Sequence, residues 1–310
     1  MSGHWREIHD LYTSSKSPMI VQDHKINVGL FNGLRALLTL NPNCLDKSVL
    51  LDESHSKYEL FDFMAKRVFI SSVHLMLNGQ LEVAERQFRQ TIIQGRTEWL
   101  VAMSYWGAAV CQLLSGNHEK ADGLIEKGCG IFSQSIGDLV QFAVANLFLL
   151  RSMIGGKNQS KRMLDDVFQA KAKFALMGYP FGDTVCQAFL HHLVGQHQLK
   201  SVDLVSSDIL LASVKKLPPL FQVVVLVLTS HAGQEFGETE ERVGYLDTAA
   251  QVAHQSVFIK AMINLRRLSI RWDKELCESI LRSANEHSLP KFIVNQLKIM
   301  DERHEKSVAS

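Results

Sequence analysis

Between Phe61 and Leu77 apolar residues fall at 61, 64, 65, 68, 69, 73 and 76. This is close to the i, i+3, i+4, i+7 rhythm of one helix face. Beyond Gly79, the residues Leu81, Ala84, Phe88 and Ile92 again step by three and four, so they share a face of a second helix. Glycine suits the turn between them, because the left-handed position after a helix carries no Cβ penalty there. The same hairpin pattern returns at Gly116 with Ala121 and Ile125, at Gly155 with Ser160 and Leu164, at Gly195, and at Gly233 or Gly237. The glycines at 79, 116, 155, 195 and 233 are separated by 37, 39, 40 and 38 residues. A fixed period between about 20 and 50 residues marks a stacked repeat, in which no unit buries its apolar face alone.

A second marker keeps the same time. Pro180 and Pro219 lie 39 residues apart, 15 and 14 residues before Gly195 and Gly233. Proline is tolerated at a helix start and not inside one, so both should open the first helix of a unit, with Trp99 near a third such start. The run Phe221–Leu228 is rich in β-branched residues and alone would read as a strand, but its place after Pro219 predicts a buried first helix. Small Ala84 and Ala121, with Ser160 at the same offset, should sit where two helices approach closely. Phe88, Ile125 and Leu164 should fill the space beyond. Residues 1–60 follow the repeat poorly and are expected to form an N-terminal helical cap, with one helix over 26–40 closed by Asn41-Pro42-Asn43 and a polar connection from Val49. Residues 61–288 carry the repeats. Residues 289–310 read as a capping helix after Pro290 and a frayed charged tail, Asp301–Lys306.

The order Gly79, Leu81, Ala84, Phe88 resembles the tetratricopeptide repeat, in which a small residue precedes an aromatic by two, an alanine by five and a phenylalanine by nine. Gly116, His118, Ala121 and Ile125 follow it less fully. The likeness covers about residues 61–285 and is specific in the first two units, and the period is longer than the family's. It implies an all-α, right-handed superhelix of stacked antiparallel hairpins whose first helices line a groove for a peptide or protein.

Composition narrows the function. A net charge of +1 argues against a general nucleic-acid binder. No stretch is long and apolar enough for a membrane span, and the start Met-Ser-Gly-His-Trp-Arg-Glu lacks an apolar signal core, so a cytoplasmic location is expected. The cysteines at 44, 111, 129, 186 and 277 are odd in number and scattered, without CxxC, and read as core thiols. His191, His192 and His197 do not have the spacing of a metal site. Asp165-Asp166 lacks the third acid of a magnesium-binding motif and reads as a solvated face. Gly155-Gly-Lys157 lacks the remaining residues of a phosphate loop. No catalytic residue, metal or cofactor is assigned.

Lys260, Asn264, Arg267 and Arg271 step by four, three and four and form a cationic row on one helix. With Arg67, His74, Gln187 and His191 on earlier first helices, they are the expected groove lining. The ligand expected from them is an anionic or carboxylate-bearing protein segment. The leading expectation is a non-enzymatic adaptor or regulatory protein that contacts no nucleic acid directly; a homo-oligomer is compatible with it. The alternatives are an all-helical enzyme with a central cavity, or a sensor module acting on a transcriptional regulator.

Overall fold

The computed structural model describes residues 33, 35–44, 57–155, 157–197, 204–232 and 239–309. Every regular element among them is helical. The main helices are α1 Lys57–Leu77, α2 Leu81–Gln94, α3 Glu98–Leu114, α4 His118–Phe132, α5 Asp138–Ser152, α6 Ser160–Leu176 and α7 Gly182–His197. They continue with α8 Ser207–Val214, α9 Pro219–His231, α10 Thr239–Val252, α11 Val257–Ile270, α12 Lys274–Glu286 and α13 Lys291–Ala309. Neighbours in sequence are neighbours in space, as local hairpins require; short α8 packs weakly, and α7 packs on α6 before it and on α9 beyond α8.

Two kinds of helix alternate. The inner helices α3, α5, α7 and α9 are apolar almost all round and bury most of their surface, as with Val140, Ala143–Leu149 and Ser152 on α5. The outer ones bury a single stripe: Leu81, Ala84, Phe88 and Thr91 on α2, and Ala121, Leu124, Ile125 and Cys129 on α4. A helix hydrophobic on all sides must be covered on all sides, so this difference sorts the chain into an inner and an outer layer. The layers lock through aromatic rings laid on small residues. Phe88 of α2 lies against Gly107 of α3, where an added Cβ would sit 2.5 Å from the ring, and it meets Phe69 edge-on at 5.8 Å.

Gly79 and Gly116 have φ of +80° and +78°. Each ends its helix with the same pair of bonds: Gly79 N–H to Met76 O and Gln80 N–H to Leu75 O, then Gly116 N–H to Leu113 O and Asn117 N–H to Gln112 O. These close two carbonyls that the helix end would leave open. Gly178, which the repeat pattern did not single out, makes the same turn between α6 and α7 at φ +66°.

The later glycines act differently. At Gly155 the turn is lengthened by a 3-10 turn, Lys157–Gln159, so α6 begins five residues after its glycine where α2 begins two after Gly79. The buried positions therefore move by three, to Met163, Val167, Ala170 and Phe174; Ser160 and Leu164 are only half-buried. Gly195 is not a turn at all. It lies inside α7, where any Cβ would run into the backbone of Ala232. Gly233 and Gly237 lie outside the described residues. Pro219 opens α9, and Phe221–Leu228 is helical and largely buried.

The two ends of the array meet. Ser256 Oγ, fully buried, donates to Leu77 O at 2.7 Å across 179 residues of sequence. A Cβ on Gly79 would lie 2.8 Å from Phe258 and 2.9 Å from Pro290. The start of α11 and the turn before α13 are thus seated on the turn between α1 and α2. Helix α13 runs on through Asp301–Lys306 to Ala309 rather than fraying at Met300. Ile293 and Leu297 anchor it in the core, and His304 stacks on Trp272 at 5.2 Å.

The N-terminal region is helical over 35–39 and stops at Leu40, φ +52°, before Asn41 and the 3-10 turn Pro42–Cys44. The stop is where Asn41-Pro42-Asn43 placed it. Residues 26–32 of the expected helix and the polar connection up to residue 56 lie outside the described residues.

Candidate functional site

Inner helices α3, α5 and α9, with the α6–α7 turn, present Trp99, Met103, Trp106, Leu139, Phe142, Tyr179, Leu220 and Phe221 to a common cleft. Their rings are interlocked. Phe142 meets Tyr179 edge-on at 5.3 Å and Phe221 at 6.2 Å, while Tyr179 lies 5.3 Å from Phe174 and 6.0 Å from Phe221. Such contacts add about 0.5–1.5 kcal/mol each beyond the area they bury. Burial raises the Tyr179 hydroxyl pKa well above that of a free phenol, so it stays neutral. One polar side chain, Asn146, enters the lining and donates to Phe142 O of its own helix at 2.8 Å.

The cleft has an occupant. Leu37 and Leu38 of the N-terminal segment complete its wall, and Ala36, Leu37, Leu38 and Leu40 are all buried. What remains open is about 30 Å³. A one-turn helix thus packs on this aromatic surface.

The residues expected to line a cationic groove are not gathered here. They lie on three helices, α1, α7 and α11, and most are engaged locally. On α1, Arg67 is half-buried, and exposed His74 pairs through its ring with Asn78 at 3.1 Å. On α7, Gln187 and His191 are buried: His191 Nε2 lies 2.8 Å from Val205 O, and Gln187 Oε1 accepts from Val205 N–H at 3.5 Å. These two fasten the connection before α8. On α11, Lys260 is exposed, Asn264 is buried, Arg267 pairs with Asp247 at 2.9 Å, and Arg271 forms a two-pronged pair with Glu240. The row's arginines therefore hold α11 to α10. Spacing placed them on one face, and the acids of the facing helix decide what they do.

Asp166 also departs from the solvated face read from the sequence. It is buried and takes a bidentate pair from Arg151 of α5, Nε to Oδ2 at 3.0 Å and Nη2 to Oδ1 at 2.5 Å, while Arg151 lies over the Phe148 ring. No signal within α6 alone could have found it, since the partner is one helix back.

A second cleft, about 560 Å³, lies along the seam where the array's ends meet, between Gly79–Glu85, Cys111–Asn117 and Pro290–Phe292. Among the described residues no group of three or more His, Cys, Asp or Glu is placed to hold a metal ion, and no helix is long and apolar enough to cross a membrane. Cys111, Cys129, Cys186 and Cys277 are free and buried. Burial pushes the Cys186 thiol up to about 12 and that of Cys129 up to about 11. No protein-family model, curated protein or solved structure matches the chain.

Proposed function

We propose that this protein is a non-enzymatic interaction module that holds an amphipathic helix of a partner protein in the aromatic cleft of α3, α5 and α9. The array is a tetratricopeptide-like superhelix that comes round on itself in a single turn, with its first helices inward. The observation that carries this reading is the occupant already present: Leu37 and Leu38 are buried against the lining that includes Trp99, Trp106 and Phe142. A groove that takes one short apolar helix recognises others by the same spacing, which is the helix-in-groove mode of recognition. The partner segment therefore carries large aliphatic residues on one face. Its affinity comes from apolar burial, so it changes little with salt, unlike the anionic ligand that a cationic lining would take.

The test uses the full chain carrying Leu37→Asp and Leu38→Asp, which releases the segment, and a fluorescein-labelled peptide of residues 30–44 with the native sequence. Anisotropy should show saturable binding to this variant, in the range of about 1–100 µM, and much weaker binding to the native chain, whose cleft is filled. Adding Trp106→Ala to the variant should weaken binding about tenfold, as loss of an aromatic anchor does. A folded double variant that fails to bind the peptide refutes the reading.

A further inference from the structure

At the end of the inner layer where α7, α9 and α11 finish, basic side chains from four helices converge. His192 of α7 and His231 of α9 lie with ring centroids 5.6 Å apart. Arg242 from the first turn of α10 is anchored by Nε to Ser230 O at 2.8 Å, and Arg266 of α11 holds Ser269 Oγ through Nη1 at 3.2 Å. His192 Nδ1, His231 Nε2 and Arg266 Nε are all shielded from solvent and without a hydrogen-bond partner. All four residues are half-buried.

Unpaired buried donors and cations cost free energy, and an arginine in this setting normally finds a carboxylate. Arg267 and Arg271 on the same helix have done so, with Asp247 and Glu240. Among the described residues Arg242 and Arg266 have no carboxylate partner, and the charged groups there that bear on Arg266 and the two imidazoles are basic: each other, Arg242 and His197. The C-terminal carbonyls nearby account for part of the gathering, since basic groups are favoured at helix ends. They do not account for the orphaned nitrogens, because Ser230 O is taken by Arg242 and His231 O by Gln196.

We propose that this cluster is a binding site for a phosphate group, seated between Arg242 and Arg266 with His192 and His231 closing on its remaining oxygens. Two fixed guanidinium charges match a dianion, and guanidinium forks fit its oxygens. In the empty site burial, His197 and Arg266 push His192 down to about 4, and burial, Arg266, His192 and Arg242 push His231 down to about 3, so both rings are neutral. A dianion reverses the local field and draws a proton onto the ring nitrogens that now lack partners, which become donors to it. Phosphate binding is therefore coupled to proton uptake by these two rings.

Isothermal titration of the full chain with inorganic phosphate, sulfate and acetate tests the site, read beside the imidazole nitrogen spectra. Phosphate and sulfate should each bind saturably and shift the His192 and His231 resonances toward the imidazolium form. Acetate, with one charge, should bind at least tenfold more weakly. Arg266→Gln and Arg242→Gln, checked for native circular dichroism and melting, should each weaken phosphate at least tenfold. Absence of saturable binding by phosphate and sulfate overturns the proposal, as does binding that leaves both histidine signals unmoved or survives Arg266→Gln unchanged. Acetate binding as tight as phosphate overturns the dianion assignment.

Discussion

Ser256→Ala tests whether the two ends of the array are joined, because that one hydroxyl serves both ends. Its oxygen caps α11 by accepting from Ile259 N–H at 3.2 Å, and its proton goes to Leu77 O at 2.7 Å at the end of α1. Loss of an N-cap side chain costs about 1 kcal/mol. Leaving the Leu77 carbonyl without its donor adds about 1–3 kcal/mol, since Ser256 is fully enclosed. The expected total is about 2–4 kcal/mol. Ser206→Ala supplies the control: Ser206 caps α8 in the same way, accepting from Ile209 N–H at 3.5 Å, but it is exposed and joins nothing distant, so its loss should cost no more than about 1 kcal/mol. Urea denaturation followed by circular dichroism measures both. Hydrogen exchange adds a local reading, because the Ser256 variant should lose protection at the Leu77–Leu81 turn, 179 residues from the substitution. Equal costs for the two variants, with unchanged exchange at that turn, would mean the seam carries no stability.

Asp166→Ala should destabilise by about 3 kcal/mol in the same assay, the low end for breaking a buried pair because Arg151 keeps 20% of its side chain exposed; Arg151→Met with Asp166→Leu should recover most of the loss, and no recovery would refute the pairing account. His192 and His231 are neutral when folded and charge freely when unfolded, so the unfolded chain binds more protons below about pH 6.5. Their contribution is complete above that pH and is lost as pH falls toward 4 and 3, with a slope of up to about 1.4 kcal/mol per pH unit for each ring. His192→Gln with His231→Gln should flatten stability between pH 6.5 and 4, and an unchanged slope would show that neither ring is held neutral.

What the sequence made legible follows the range of the interaction. Gly79 and Gly116 could be read because a left-handed helix stop is set by the residue itself, the four before it and the one after it. Gly195 kept the period for a different reason, the approach of the α9 end at Ala232, which the spacing cannot distinguish from a turn. The Asp166–Arg151 pair, and the acids that claim Arg267 and Arg271, lie 15 to 31 residues away on facing helices, beyond anything a single helix face reveals. The seam is more hidden still, since Ser256, Phe258 and Pro290 carry no mark of what they meet. It also changes what the N-terminal region has to do. An open stack exposes its first unit and needs a cap there. Here the α1–α2 turn is already covered by α11 and the residues before α13, and the described N-terminal segment bridges α1, where Gly33 lies against Ile70 and the turn Pro42–Cys44 packs, and the cleft of Trp99, Trp106 and Phe142. A partner helix that takes the place of Leu37 and Leu38, as proposed, therefore has to leave the α1 contacts of Gly33 and Pro42–Cys44 in place or replace them as well.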